Sequence, residues 1–160
     1  MPNPDIDIAL DEADTRHLRH AIALSLEARR CGNMPYGAIL VSRGGDVLLE
    51  ACNTQVTDRD CTAHAETRLM REATRQLDHA TLAGATVYAS GEPCPMCAGA
   101  IYWSGARRVV YALSIASMGE LGGAGVDALR LACREVMARG TRAVEVVGPA
   151  LQSEARRVFD

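Results

Sequence analysis

The hydrophobic and polar positions of this chain follow a helical period over residues 13–31. Leu18, Ile22 and Leu26 recur at intervals of four residues, with charged residues between them. That spacing places the apolar side chains on one face of a helix. The pattern therefore predicts an amphipathic helix that buries one face against the rest of the protein.

Short apolar runs bounded by turn residues predict the strands. The runs 36–42 and 47–53 are joined by Arg-Gly-Gly-Asp at 43–46, a composition typical of a hairpin turn. A helical period covers residues 64–77, and Thr62 is its predicted N-cap. The remaining segments predict strands over 85–90, 108–113 and 143–148, helices over 95–103, 127–138 and 151–159, and a glycine-rich loop over 119–125.

The predicted order of elements is α-β-β-α-β-α-β-α-β-α, which indicates an α/β fold. Helices between strands imply crossover connections and a partly parallel sheet, to which one hairpin adds an antiparallel strand. We predict a three-layer α/β/α sandwich with a five-stranded mixed sheet. The length of 160 residues fits a single domain over residues 1–160, with 1–12 as a loose N-terminal segment.

The charge balance narrows the choice of partners. The formal net charge is −3, and all 17 basic residues are arginines scattered among acidic ones. Nucleic-acid binders usually carry a basic stripe, because phosphate neutralisation drives their affinity. Residues 1–14 lack the pattern of a signal peptide, and no run approaches the ~18 apolar residues of a membrane span. We therefore expect a cytoplasmic protein without a membrane partner, and we disfavour a polynucleotide substrate.

The cysteines and histidines divide into clustered and scattered sets. Of six cysteines, only Cys94 and Cys97 form a C-x-x-C pair. The other four share no tight spacing and are predicted to be small, buried or partly buried residues: Cys31, Cys52, Cys61 and Cys133. Three histidines on charged stretches are expected to lie on the solvated surface: His17, His20 and His79.

Two segments carry residues suited to zinc, each where a predicted helix begins. They read Thr-Ala-His-Ala-Glu at 62–66 and Glu-Pro-Cys-Pro-Met-Cys at 92–97. Zinc prefers sulfur and nitrogen ligands in a tetrahedron, and a helix N-terminus favours thiolates. His64, Cys94 and Cys97 are therefore the predicted ligands of one Zn²⁺. Three protein ligands leave the fourth position to water or hydroxide, as in catalytic sites.

Glu66 follows the histidine by two residues and is the candidate catalytic group. Attack of water on an amino-substituted ring carbon requires a group that carries protons to the ring nitrogen and the leaving amine. A carboxylate close to the metal but not bound to it suits this task. Together the residues match the pattern H-x-E…P-C-x-x-C, which is the signature of zinc deaminases.

On these residues the chain resembles the cytidine deaminase superfamily, in its branch of nucleobase and tRNA adenosine deaminases. The resemblance implies a mixed-sheet fold, one zinc per active site and a homodimer. It also implies that Asn53 hydrogen-bonds the ring or ribose of the substrate. The backbone of Ala65 and the carbonyl near Ser90 would contact the ring and the leaving amine.

The resemblance leaves the substrate open. Ile-Tyr-Trp at 101–103 is similar to guanine deaminases, in which residues at the Tyr36 and Trp103 positions help to wall the purine. Those enzymes also place an acid after the fourth strand, whereas residues 114–117 hold none and the nearest acid is Glu120. The end of the chain is closer to cytosine and tRNA adenosine deaminases.

We therefore predict a deaminase of a small nucleobase or nucleoside, with guanine slightly ahead of cytosine. A tRNA wobble-adenosine deaminase is the alternative. A non-enzymatic zinc-binding module is a third possibility, which Glu66 disfavours because structural zinc needs no carboxylate beside it. The loop 119–125 is expected to form a mobile lip near the site, where Glu120 is a candidate substrate contact.

Overall fold

The computed structural model describes residues 6–123 and 125–160. Five strands are present in these ranges: β1 (Gly37–Val41), β2 (Val47–Cys52), β3 (Thr86–Gly91), β4 (Arg108–Leu113) and β5 (Glu145–Val147). The helices are α1 (Glu12–Arg30), α2 (Ala65–Gln76), α3 (His79–Gly84), α4 (Pro95–Ser104), α5 (Ile115–Leu121), α6 (Cys133–Ala138) and α7 (Gln152–Arg156), and a 3₁₀ turn covers Arg157–Phe159.

The strands form one mixed sheet in the order β2-β1-β3-β4-β5. β1 pairs antiparallel with both β2 and β3, whereas β3, β4 and β5 run parallel to one another. Parallel neighbours need crossover connections, and α4 supplies the one between β3 and β4. The predicted five-stranded mixed sheet between helical layers is confirmed.

Each face of the sheet carries its own hydrophobic core. Successive residues of β1 show the division, since Ile39 packs into one core and Leu40 into the other. The first core contains residues of α1 and of the C-terminal segment, including Leu18, Ile22, Val110 and Val158. The second contains residues of α2 and α4, including Leu69, Val87, Ile101 and Val109. The buried positions of α1 confirm its predicted apolar face.

Several predicted boundaries were wrong because local capping was not recognised. Thr62 does not cap α2: its hydroxyl donates to Asp60, and His64 occupies the N-cap position. Asp78 caps the unpredicted helix α3 by accepting from the amide of Thr81 at 2.7 Å. Short polar side chains at such positions satisfy amides that have no partner within the helix.

The segment after β4 also differs from the prediction. Ser114 caps α5, which occupies 115–121 in place of the start of the predicted glycine-rich loop. One residue of that predicted loop, at position 124, lies outside the described residues. Helix α6 begins only at Cys133, so the predicted helix over 127–138 is shortened to its second half.

The N-terminal segment is tied to the C-terminal region where the structure describes it. The amide of Ile8 donates to the carbonyl oxygen of Pro149 at 2.7 Å. Residues 1–5 of the predicted loose segment lie outside the described ranges. No helix within those ranges has both the length and the apolar composition that a membrane crossing requires.

Two expectations about scattered residues were also wrong. His17 is buried, because its ring packs 5.2 Å from that of Tyr88 on β3. Cys31 and Cys61 are exposed, whereas Cys52 is half-buried and Cys133 is buried. Burial of a single residue depends on what the fold places opposite to it, and its sequence neighbours do not carry that information.

Candidate active site

The two motifs meet where α2 and α4 begin, on the same side of the sheet. His64 is the N-cap of α2 and Cys94 the N-cap of α4, and both have extended backbone geometry. Pro95 occupies the first position of α4, where proline needs no hydrogen-bond partner. Cys97 follows one turn later on the buried side of that helix. The packing of α2 against α4 thus brings together residues that are far apart in the sequence.

The three predicted ligands form a compact group. Their ligand atoms lie within 4.8 Å of one another. Nδ1 of His64 is 3.6 Å from Sγ of Cys94 and 3.5 Å from Sγ of Cys97. A tetrahedral zinc ion with Zn–S of about 2.3 Å and Zn–N of about 2.05 Å separates nitrogen from sulfur by about 3.6 Å. The donor set and its spacing therefore fit zinc.

The sulfur atoms differ in their protonation. A hydrogen bond from the Cys97 thiol, with a further one from His64, lowers the pKa of Cys94 to about 4. The same bond, together with burial, raises the pKa of Cys97. The hydrogen bond with Cys94 also raises the pKa of His64. The arrangement therefore favours a thiolate at Cys94, and a metal would displace the proton of Cys97.

Glu66 is buried in the first turn of α2, two residues beyond His64. Burial, with a smaller contribution from the charge of Cys94, raises the pKa of this carboxyl group to about 7. Its carboxylate does not belong to the three-residue ligand group. A group that titrates near neutral pH can both accept and return a proton, which is what general acid–base catalysis requires.

Three predicted substrate-binding residues lie at or next to the ends of elements: Asn53, Ala65 and Ser90. Asn53 follows β2, is 1% exposed, and its side-chain amide donates to Oε1 of Gln55 at 2.7 Å. Ala65 is fully buried as the first residue of α2. Ser90 lies near the end of β3, and its hydroxyl accepts from the amide of Gly37 at 3.0 Å. This hydrogen bond ties the end of β3 to the start of β1.

Tyr36 lies beside Glu66, whose negative charge adds to burial in raising the pKa of the phenol to about 12. Its ring meets that of Phe159 edge to face, with centroids 5.9 Å apart. A Cβ atom on Gly91 would lie 3.1 Å from Tyr36 and 2.6 Å from Sδ of Met118. Tyr36, Met118 and Phe159 therefore lie close together, and the charge of Glu66 reaches the phenol of Tyr36.

Sequence reasoning did not select Met118 or Phe159. Phe159 is the only phenylalanine of the chain, and it follows a helix that showed no functional motif. Met118 lies in α5, in a segment that was not predicted to be helical. Nothing in the local sequence pairs either residue with Tyr36.

A family model described as the cytidine and deoxycytidylate deaminase zinc-binding region matches residues 11–113. The chain belongs to this family. The family assignment confirms the predicted superfamily and zinc as the cofactor. The protein is accordingly a zinc-binding deaminase of nucleobases, nucleosides or tRNA adenosine.

Individual relatives carry different names. The probable cytosine deaminase of Schizosaccharomyces pombe is 39% identical over 151 residues, which are 91% of this chain and 90% of that protein. The guanine deaminase of Bacillus subtilis is 39% identical over 106 residues, 66% of this chain and 67% of that protein. A structure from a study of A-to-I editing by wobble-position tRNA:A34 deaminases aligns with a TM-score of 0.69 at 29% identity, covering 90% of this chain and 99% of that one.

Two further candidate substrate contacts, Trp103 and Glu120, are exposed to solvent in this chain. Trp103 is near the far end of α4, 85% exposed, and packs edge to face on Tyr102. Six residues of helix, about 9 Å, separate it from Cys97. Glu120 is also exposed, and Oε2 of its carboxylate accepts from Arg156 at 3.0 Å.

Glu92 is a buried residue of the deaminase that the sequence reasoning quoted but gave no role. One carboxylate oxygen accepts from the amide of Ile115 at 2.9 Å, and the other accepts from the amide of Cys133 at 2.9 Å. These amides open α5 and α6, where helix dipoles favour a negative charge. Glu92 therefore links the N-termini of α5 and α6 to the loop that precedes Cys94.

Proposed function

We propose that this protein catalyses the hydrolytic, zinc-dependent deamination of a free nucleobase or nucleoside and releases ammonia. The observation that carries the proposal is the buried Glu66 carboxylate beside the His64, Cys94 and Cys97 group but outside it. A structural zinc site closes its coordination and needs no such group, whereas a catalytic site keeps a position open.

The residues of the proposed centre divide into metal ligands and a proton carrier. The ligands of the ion are His64, Cys94 and Cys97. When bound, zinc acts as a Lewis acid that makes water a nucleophile at neutral pH. Glu66 takes up the two protons of the attacking water in turn and delivers one to the ring nitrogen and the other to the departing amine, which leaves as ammonia. Its raised pKa supports this role, because the carboxyl group exchanges protons near neutral pH.

The proposed substrate contacts surround this carboxylate. The Asn53 side chain hydrogen-bonds the ring or the ribose, and the Ala65 backbone and the Ser90 carbonyl face the ring and its amine. Tyr36 forms one wall. The rings of Tyr36 and Phe159, with centroids 5.9 Å apart, provide aromatic surface that suits packing against a heterocyclic base. The net charge of −3 supports a small substrate in preference to a polynucleotide.

Among free bases, we propose cytosine ahead of guanine. The relative named a probable cytosine deaminase is similar over 91% of this chain and 90% of its own length, a larger share than the guanine deaminase of Bacillus subtilis covers. Guanine was expected partly because of the Ile-Tyr-Trp stretch that contains Trp103. The exposure of Trp103 weakens that support within one chain. Guanine remains the second candidate, on the similarity to the guanine deaminase of Bacillus subtilis.

We also propose that the protein is a homodimer. The exposed indole of Trp103 supports this, since large aromatic side chains are enriched where proteins associate. A second chain that covers Trp103 would also bring its own residues toward the end of α4. In that arrangement Trp103 of one chain would form a wall of the substrate site of the other chain.

An ammonia-release screen tests the proposed reaction and substrate together. Cytosine, guanine, adenine and their nucleosides are offered beside a tRNA anticodon stem-loop that carries a wobble adenosine. We expect turnover of a free base, with cytosine the fastest. Turnover of the stem-loop alone would overturn the small-molecule proposal, and release from none of the substrates by zinc-loaded protein would overturn the proposed reaction.

A further inference from the structure

Thr67 makes an unusual hydrogen bond for a threonine inside a helix. Its Oγ1 lies 3.3 Å from Sγ of Cys97. In the same helix, Thr74 shows the ordinary alternative, in which Oγ1 donates to the carbonyl oxygen of Met70 at 2.9 Å. Thr67 follows His64 by three residues, so both side chains lie on the same face of α2. The hydroxyl group is therefore directed at the metal-binding group.

The direction of this bond follows from the chemistry of zinc binding. A cysteine that binds zinc is a thiolate, which has no proton to donate. The hydroxyl of Thr67 must then be the donor. Cys97 is fully buried, and a buried charge is costly unless it is paired and hydrogen-bonded.

We propose that Thr67 is a positioning residue of the zinc centre, whose hydroxyl donates to the Cys97 thiolate, orients it toward the ion and withdraws electron density from it. The proposal rests on the assignment of His64, Cys94 and Cys97 as the ligands. Residues that hydrogen-bond metal ligands commonly tune both the affinity and the electronic character of the metal. A less electron-rich sulfur leaves the ion a stronger Lewis acid, which favours the activation of water.

Replacement of the hydroxyl by a methyl group tests the proposal with little change in shape. We expect T67V to weaken zinc binding about tenfold in a competition titration against a chromogenic chelator. T67S keeps the hydroxyl and should restore the wild-type affinity. T74V removes a hydroxyl from the same helix away from the metal group and should bind zinc like the wild type.

Cobalt substitution supplies a readout that a general loss of packing would not reproduce. A hydrogen bond lowers the energy of the sulfur lone pairs, so its removal should move the sulfur-to-cobalt charge-transfer band of T67V to longer wavelength. T67S and T74V should keep the wild-type band. T67A provides the same comparison where T67V does not fold.

Unchanged zinc affinity and an unchanged cobalt band in T67V would overturn the role of Thr67. Failure of the ligand assignment gives a different result. C94A would then retain full zinc occupancy, whereas the assignment predicts that C94A loses zinc and the T67 variants keep it at saturating concentration. The role of Thr67 and the identity of the ligands are thus tested separately.

Discussion

The rings of Tyr36 and Phe159 meet edge to face, with their centroids 5.9 Å apart, and burial together with the charge of Glu66 raises the pKa of the Tyr36 phenol. The contact joins the residue before β1 to the end of the chain. It makes the C-terminal segment part of the proposed substrate site.

Removal of the Phe159 ring should weaken substrate binding more than catalysis, because in the proposed site the ring packs against the bound base. An aromatic contact of this kind contributes about 0.5–1.5 kcal/mol beyond its buried area. We therefore expect F159A to raise KM for the preferred base about two- to tenfold while kcat changes less. Steady-state kinetics measure both constants, and F159L serves as the control that keeps apolar bulk. A KM equal to that of the wild type would show that Phe159 does not line the site.

Glu66 should control turnover without controlling the metal. We expect E66A and E66Q to retain zinc and to lose about 10²–10⁴ in kcat, the contribution typical of general acid–base catalysis. Metal analysis and ammonia release measure the two properties on the same samples. Ammonia release by E66A at the wild-type rate would refute the assignment.

The pH dependence of the wild type follows from the same carboxyl group. Burial raises the pKa of Glu66 to about 7, and only its ionised form accepts a proton from water. The rate should therefore fall as the pH falls, with a midpoint no higher than about 7, because the positive charge of a bound zinc lowers this pKa. A kcat/KM profile that stays flat down to pH 4 would contradict this role.

The candidate metal-binding residues could be predicted because the motifs that identify them are short segments of the sequence. Cys94 and Cys97 are one turn apart, and His64 stands at another helix start, so short spacing rules suffice. The sheet followed from apolar runs in the same way. Phe159 could not be predicted, because its partner Tyr36 is distant in the sequence although the two rings are in contact in the fold. Long-range packing of this kind leaves no pattern in a single sequence.

Long-range packing also explains why His17 was wrongly predicted to lie on the solvated surface. Its sequence neighbours are charged, which indicates a solvated position, but α1 turns this side chain toward Tyr88. The unpredicted start of α5 has a more local cause. Ser114 caps that helix, and attention to its capping hydroxyl would have found it.

Glu92 should be important for stability because it satisfies two helix-start amides at once. E92A would leave the amides of Ile115 and Cys133 without these partners, and a lost bond to a charged group costs about 1.5–3 kcal/mol. We expect the free energy of unfolding in urea to fall by at least that amount. The exposed acid Glu120 provides the control, since E120Q should cost under about 1 kcal/mol. Equal stabilities of E92A and E120Q would contradict the role given to Glu92.

Trp103 should determine the oligomeric state if it lies between two chains. Its indole is 85% exposed in one chain, and a charge at the centre of an interface opposes association. We expect W103E to sediment as a monomer where the wild type sediments as a dimer. The control I6E places the same charge on another exposed apolar position and should remain dimeric. A dimeric W103E would place the interface elsewhere.

A half-buried ion pair lies on the opposite side of the sheet from the His64, Cys94 and Cys97 group. Arg108 donates to both carboxylate oxygens of Asp14, at 2.8 and 2.7 Å, and Tyr88 donates to the same carboxylate at 2.6 Å. The hydrogen bonds from Arg108 are the main cause of the lowered pKa of Asp14. Breaking such a pair leaves a charge without its partner.

We expect D14N to lower the free energy of unfolding by about 3 kcal/mol at pH 7. Because the pKa of Asp14 is lower in the folded protein, its stabilisation is fully present above the unfolded value of about 3.9 and is lost as the pH falls through the folded value. The difference between wild type and D14N in urea unfolding should therefore shrink below about pH 4. E154Q, which removes the more exposed pair with Arg19, should cost under about 1 kcal/mol. If the difference in the free energy of unfolding between wild type and D14N is the same at pH 3 as at pH 7, the difference is caused by packing of the Asp14 side chain and its ionisation plays no part.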